Sequence, residues 1–430
     1  MSELDPGATA TMVPSGLPYF TDADPSLSRS AGGRDPLGLL PVWSAFGRRL
    51  VPNLASPVFQ VNGIKAVVLI EWLALQKPIQ SLLDRDERVR GYFRLMEGLI
   101  EYWLFRNNRP HCFGTNSLTA AKGGFTVDTR TTKTVANGLF QYYRGSCRRA
   151  GFLADDGTIH LGAARELARI WPQKAINELA GALGDPLKTT VALVPAVHLE
   201  GTALSRALDT VFSDEALSTM LREELFGQTA QRQLALDFLQ LRRLTTPGKL
   251  RLDERIARLA SSELRHAIDC VQWCEPFLLV MQDVFDLLRA SPGKRLDQVA
   301  AELKHLHARI ASRATNFLRL RGDLDSRRMK QMLVLAETLA GTSVPATGAT
   351  DNARLVAFMR EMVLYHARCM TERARDPLVL IEGEVVVAPV AADRDPADAK
   401  ARLQAGYPWM NDYYLNTASS LYGQVFKDAQ

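Results

Sequence analysis

Residues 128–171 read DTRTTKTVANGLFQYYRGSCRRAGFLADDGTIHLGAARELARIW. Asp128 is placed to cap a helix running through Leu139, Tyr142, Tyr143, Cys147 and Ala150. Gly151 follows where a left-handed helix stop is expected. Phe152-Leu153 and Thr158-Ile159-His160-Leu161 are two short strand candidates, and the Asp156-Gly157 pair between them is a strong hairpin turn signal. Gly162 leads into a further helix over 163–170, stopped by Pro172.

Helix, two-stranded ribbon and helix joined by such short connections resemble the second half of a winged helix. The likeness rests on Arg149-Ala150-Gly151-Phe152-Leu153 and then Asp156-Gly157-Thr158-Ile159-His160-Leu161, and covers about a tenth of the chain. It implies a module that binds nucleic acid or protein. A plain helix–hairpin–helix fits the same residues.

Toward the N-terminus, the module is bounded as 111–184 and preceded by an N-terminal helical domain over 34–110. At Asp35-Pro36 the apolar density rises, and proline suits a first helical turn. Ile64 to Leu75 reads as a buried helix. Val89, Tyr92, Phe93, Met96, Leu99, Ile100 and Trp103 keep helical spacing up to Phe105. Residues 1–33, rich in Pro, Gly, Ser, Thr and Asp, are expected to form a disordered tail.

Toward the C-terminus, 185–345 reads as a second helical domain. It holds a long apolar helix over Glu263–Leu288 interrupted by Pro276. Leu296, Val299, Leu303, Leu306, Ile310, Ala314 and Phe317 predict one amphipathic helix of about six turns. Gly341–Asn352 is linker-like. The last unit, 346–430, combines a helix through Leu355, Met359, Met362 and Cys369, a hairpin of 378–381 with 385–388, and an aromatic tail expected to dock back. The expected class is mainly α: a multi-domain helical protein with an internal winged-helix-like module and a short C-terminal β-hairpin.

The 430 residues are 47% apolar and 23% charged, which excludes a wholly disordered or fibrous chain. Lys and Arg number 52 against 47 Asp and Glu, a mild excess of +5, so any polyanion site must be local. Five cysteines without a CxxC, and Cys-to-His spacings that match no common metal finger, indicate reduced thiols and no metal. No apolar run reaches the ~20 residues a bilayer needs, and Met1-Ser2-Glu3-Leu4-Asp5 lacks a signal-peptide start, so a cytoplasmic location is expected.

Charge supplies the main candidates. Arg144, Arg148 and Arg149 precede the ribbon beside Tyr142 and Tyr143, with Lys122, Arg130 and Lys133 upstream. Guanidinium groups offer paired donors to phosphate. Between Lys304 and Lys330 eight Lys or Arg face two Asp, a net +6 that exceeds the whole-chain excess. Arg313, Arg319, Arg321, Arg327 and Arg328 are the candidate phosphate contacts there. A solvated face, or salt bridges to acidic partners such as those at 214–224, fits the same residues.

Arg360-Glu361-Met362-Val363-Leu364-Tyr365-His366 resembles the Arg-x(4–6)-His motif of HEPN ribonucleases, which are helical, metal-independent and usually dimeric. The resemblance would make Arg360 and His366 act on an RNA phosphodiester. The alternative is a core histidine, since His366 aligns with Leu355, Met359 and Met362. There is no G-x-x-x-x-G-K-[ST], G-x-S-x-G or H-E-x-x-H. His305 and His307 project about 200° apart on a helix and cannot share a metal.

Arg34-Asp35-Pro36-Leu37-Gly38-Leu39, with the following Pro52-Asn53-Leu54, is similar to a block in uncharacterised bacterial proteins of mobile defence islands. That resemblance implies an accessory component of an antiphage or anti-plasmid system and assigns no catalytic residue. The combined expectation is a non-enzymatic subunit that binds nucleic acid, duplex DNA first. It would act without a cofactor beside a separately encoded ATPase or nuclease. A protein–protein adaptor and a HEPN-like RNase are the alternatives.

Overall fold

A computed structural model describes residues 35–426 apart from 56, 84–85, 121–123, 129–137, 155–157, 190, 196–201, 245–249, 343–349 and 390–394. The expected tail, the Asp156-Gly157 turn, most of the 341–352 linker, and Lys122, Arg130 and Lys133 lie outside the described residues.

The fold is mainly helical. Helices α1 (Leu40–Leu50), α2 (Val61–Ala74), α3 (Lys77–Gln80), α4 (Asp86–Arg106) and α5 (Thr115–Ala120) lead to strand β1 (Gly124–Asp128). A π-helical turn, Leu139–Tyr143, runs into α6 (Arg144–Arg149), and α7 (Leu161–Ile170), α8 (Gln173–Gly184) and β2 (Val191–Pro195) follow. Next come α9 (Ala203–Ser213), α10 (Glu215–Phe226), α11 (Thr229–Arg243), α12 (Leu252–Ala257) and α13 (Arg265–Arg289). The chain ends with α14 (Leu296–Leu303), α15 (His307–Phe317), α16 (Arg327–Ala340), α17 (Asp351–Thr371), the hairpin β3 (Leu380–Glu382) and β4 (Val385–Val387), α18 (Pro396–Ala405) and α19 (Leu415–Val425).

Two helices form the centre because they are apolar nearly all round. On α2 every residue from Gly63 to Ile70 is buried, and on α13 the run Phe277–Met281 is buried as well. α2 packs on α4, α6 and α7, while α13 packs on α1, α15, α17 and α18. Apolar contact continues from Leu37 to Val425 as one core. No helix among the described residues is long and apolar enough to cross a membrane.

The C-terminal hairpin forms where its residues indicate, with Ile381 opposite Val386. Gly383 and Glu384 both take positive φ, +55° and +74°, as a tight two-residue hairpin turn demands. The aromatic tail docks: Tyr413, Tyr414 and Tyr422 are buried.

Three local expectations are corrected. Asp128 is not a helix cap; it ends β1, opposite Val191 of β2. Asp35-Pro36 does not open a helix. Asp35 adopts φ +62°, and its carboxylate accepts the Leu39 and Leu40 amides at 2.6 and 3.1 Å, so α1 starts at Leu40. The helix expected over 296–317 breaks into α14 and α15 at a 3₁₀ turn, Lys304–Leu306, while the whole apolar stripe is still buried. A tighter turn rotates the later helix without taking Leu306 or Ile310 off the core side.

Candidate nucleic-acid interface

The arginine helix is held from beneath by a buried carboxylate. Glu97 on α4 accepts the amides of Gly138 at 2.6 Å, Leu139 at 3.0 Å and Phe140 at 3.5 Å. These N–H groups open the helix and lack intrahelical partners, so an anion there satisfies donors and the macrodipole together. Tyr143 anchors the next turn. Its hydroxyl accepts the Gln60 amide at 3.1 Å, and a Cβ at Gly63 would fall 2.2 Å from its ring, so only glycine admits α2 this close.

Past α6 the chain turns as expected. Gly151 is left-handed at φ +82°. Leu153 and Ile159 form one antiparallel bridge, with the Ala154 amide donating to the Thr158 carbonyl at 2.8 Å and the His160 amide to the Phe152 carbonyl at 3.0 Å. The order helix, ribbon, helix stands, but the ribbon is only this bridge, and β1 pairs with β2 rather than with it.

The three arginines of α6 have different surroundings. Arg144 is committed internally: it pairs with Glu71 of α2 and stacks 5.2 Å over the Phe140 ring. Arg148 is half-buried, and its Nε has no partner among the described residues. Arg149 is exposed and donates to the Ser146 hydroxyl at 3.0 Å. Partial burial, followed by the nearby Arg48 guanidinium, holds its pKa below the ordinary arginine value. Arg48, exposed at the end of α1, escaped the sequence reading because about a hundred residues separate it from α6. No carboxylate pairs with Arg48, Arg148 or Arg149 among the described residues. Glu224 marks the far side of the turn, 3.3 Å from His160.

Four of the eight Lys and Arg of the second basic run pair with carboxylates of the same chain. Arg321 pairs with Glu337, Arg327 with Glu372 at 3.2 Å, Arg328 with the same Glu372, and Lys330 with Asp325 at 2.7 Å. The partners come from α16, the residue that caps the end of α17 and the turn ahead of α16, not from 214–224. Arg313 is half-buried against Gly406, its pKa lowered by burial and by Arg309. Arg319 is exposed over the Trp273 ring at 5.4 Å.

Arg360 and His366 are not brought together. Arg360 donates to both carboxylate oxygens of Glu384 at 2.7 and 2.6 Å. His366 is buried, with Nδ1 3.0 Å from the Pro36 carbonyl and Nε2 accepting the Leu378 amide at 2.8 Å. Burial keeps the imidazole's pKa below the usual histidine value. Both nitrogens are occupied, so the ring has none left for a phosphodiester.

The Asp35–Leu39 block has a structural part in the same corner. Arg373 bonds Asp35, and the Pro36 carbonyl meets His366. Gly38 sits at φ +62°, and a Cβ there would fall 3.2 Å from Arg328 Nε, a space that glycine keeps clear. One further group among the described residues has metal-ligand chemistry: His266, Cys270 and Asp323. No family model, curated protein or solved structure matches the chain.

Proposed function

We propose that the chain is a nucleic-acid-binding subunit without catalytic chemistry of its own, and that it grips duplex DNA through Arg48, Arg148 and Arg149. The observation that carries this reading is the placement of exposed Arg149 beside exposed Arg48 with no carboxylate between them among the described residues. Like charges held together raise the free energy of the empty surface, and a phosphate bridging them relieves it. The rigid seat supports the same reading: Glu97 and Tyr143 fix α6, so the guanidiniums face the ligand with little left to order. Membership of a multi-protein bacterial defence system, beside a separately encoded ATPase or nuclease, rests on the sequence resemblance alone.

The test is fluorescence anisotropy with a labelled duplex across a salt series. The wild-type chain is expected to bind with a log–log salt slope set by the phosphates it contacts. Reversing Arg48, Arg148 and Arg149 to Glu should weaken binding about tenfold or more and shrink that slope by about three. Arg144 is left alone because its reversal breaks the Glu71 pair and disturbs the fold. Binding that persists in the triple variant rejects the site. A wild-type chain that ignores duplex at moderate salt leaves the adaptor reading in its place.

A further inference from the structure

The geometry points to a zinc-type metal site formed by His266, Cys270 and Asp323. His266 and Cys270 stand four residues apart on α13, so their side chains leave one helical face a turn apart. Asp323 arrives from the turn ahead of α16. His266 Nε2 lies 2.6 Å from Asp323 Oδ1 and 3.6 Å from Cys270 Sγ. One ligand atom from each of the three falls within 4.8 Å of the other two.

Tetrahedral zinc makes bonds of about 2.0 Å to nitrogen and about 2.3 Å to sulfur, so its N···S edge is about 3.5 Å. The observed edge fits. The N···O edge must open to about 3.3 Å, and the His266 side chain, 65% exposed, is free to swing by that much. One nitrogen, one sulfur and one oxygen suit Zn²⁺ or Co²⁺ and not the all-oxygen shells of Ca²⁺ and Mg²⁺. Cys270 forms the buried floor and His266 the exposed rim, so the fourth position faces water.

These side chains do not form a hydrolytic triad. Cys270 and Asp323 both address the same nitrogen, so the ring cannot relay between them. Burial, with Asp323 beside it, pushes the Cys270 thiol up to about 11, so a metal must displace its proton to bind the sulfur. As the metal–sulfur bond forms, the S–H bond breaks and the proton passes to water. Arg49 of α1 reaches two of the ligands, donating to Asp323 Oδ1 at 3.1 Å and lying 3.6 Å from Cys270 Sγ. A divalent ion with one thiolate and one carboxylate is neutral, so this guanidinium meets no net positive charge and acts as an outer donor. Arg49 is next to Arg48 in sequence, but the metal site stands whether or not the chain binds DNA.

The full chain, stripped with a chelator, is titrated with ZnCl₂ and separately with CoCl₂. One equivalent of metal is expected to bind, and the cobalt form should show thiolate-to-cobalt charge-transfer absorption in the near ultraviolet. His266→Ala and Cys270→Ser should each weaken binding about tenfold or more. His305→Ala, at an exposed histidine on another segment, should leave it unchanged. Because His266 is exposed, circular dichroism of its variant should match the wild type. No uptake by the wild-type chain, or uptake undiminished in either ligand variant, overturns the assignment and leaves an ion cluster of Arg49, His266 and Asp323.

Discussion

Glu97 and Glu101 stand one helical turn apart on α4, both buried, beneath the segment that carries the arginines. Burial pushes Glu97 up to about 7 despite three backbone donors, and burial pushes Glu101 up to about 8 with the Glu97 charge adding to it. Glu101 Oε1 has no partner among the described residues, as suits a carboxyl that keeps its proton. An acid whose pKa is raised by folding binds more protons folded than unfolded between the two values. Stability is therefore full below the unfolded value of about 4.5 and is lost as pH rises toward about 8. Glu101→Gln keeps an acceptor for the Cys112 amide, now 2.8 Å away, and removes the ionisation. Urea unfolding at pH 5 and pH 8 should show the variant losing less stability over that interval than the wild type, by roughly 1–3 kcal/mol. Identical losses in both proteins would place the proton elsewhere.

Among the elements, α13 is both core and latch. Its Glu275 carboxylate accepts the Met410 amide at 3.0 Å, the Asn411 amide at 3.2 Å, Asn411 Nδ2 at 2.8 Å and the Tyr413 hydroxyl at 2.8 Å. Four donors from one tail segment converge on one buried acid, so Glu275→Ala strands all of them. The variant should lose roughly 2–4 kcal/mol and become open to limited proteolysis near 407–414, whereas Glu275→Gln should recover part of the loss. Unchanged proteolysis would mean that the aromatic packing alone holds the tail.

The helices were legible because period and burial coincide: every position of the 296–317 stripe is buried. The 3₁₀ break at 304–306 was not, since steps of three and four suit both helix types. Pairing of β1 with β2 spans more than sixty residues and has no local signature. For the same reason Arg48 and Asp323 were invisible beside their partners, although the His266–Cys270 spacing could have been seen.

Across the molecule, the 34–110 helices and the 111–184 module both depend on helices that lie beyond them in the chain. Lys65 of α2 is buried and donates to the Val211 carbonyl at 3.3 Å and the Ser218 hydroxyl at 3.1 Å, both far along the chain. The Val61 amide donates to Gln424 Oε1 at 3.0 Å, so α19 closes the start of α2. α7 packs on α9 and α10, and α8 packs on α9. A fragment of residues 35–184 would expose these faces, remove the Val211 and Ser218 acceptors of Lys65 and lose the return strand β2 from β1. Uncovered core of that extent outweighs the few kcal/mol by which a domain is stable. Expressed alone, the fragment should show collapsed amide dispersion by NMR and no cooperative melt, while the full chain unfolds in a cooperative transition. A fragment that folds and still binds duplex would instead make the arginine-bearing module an independent domain, with the later helices added to it rather than completing it.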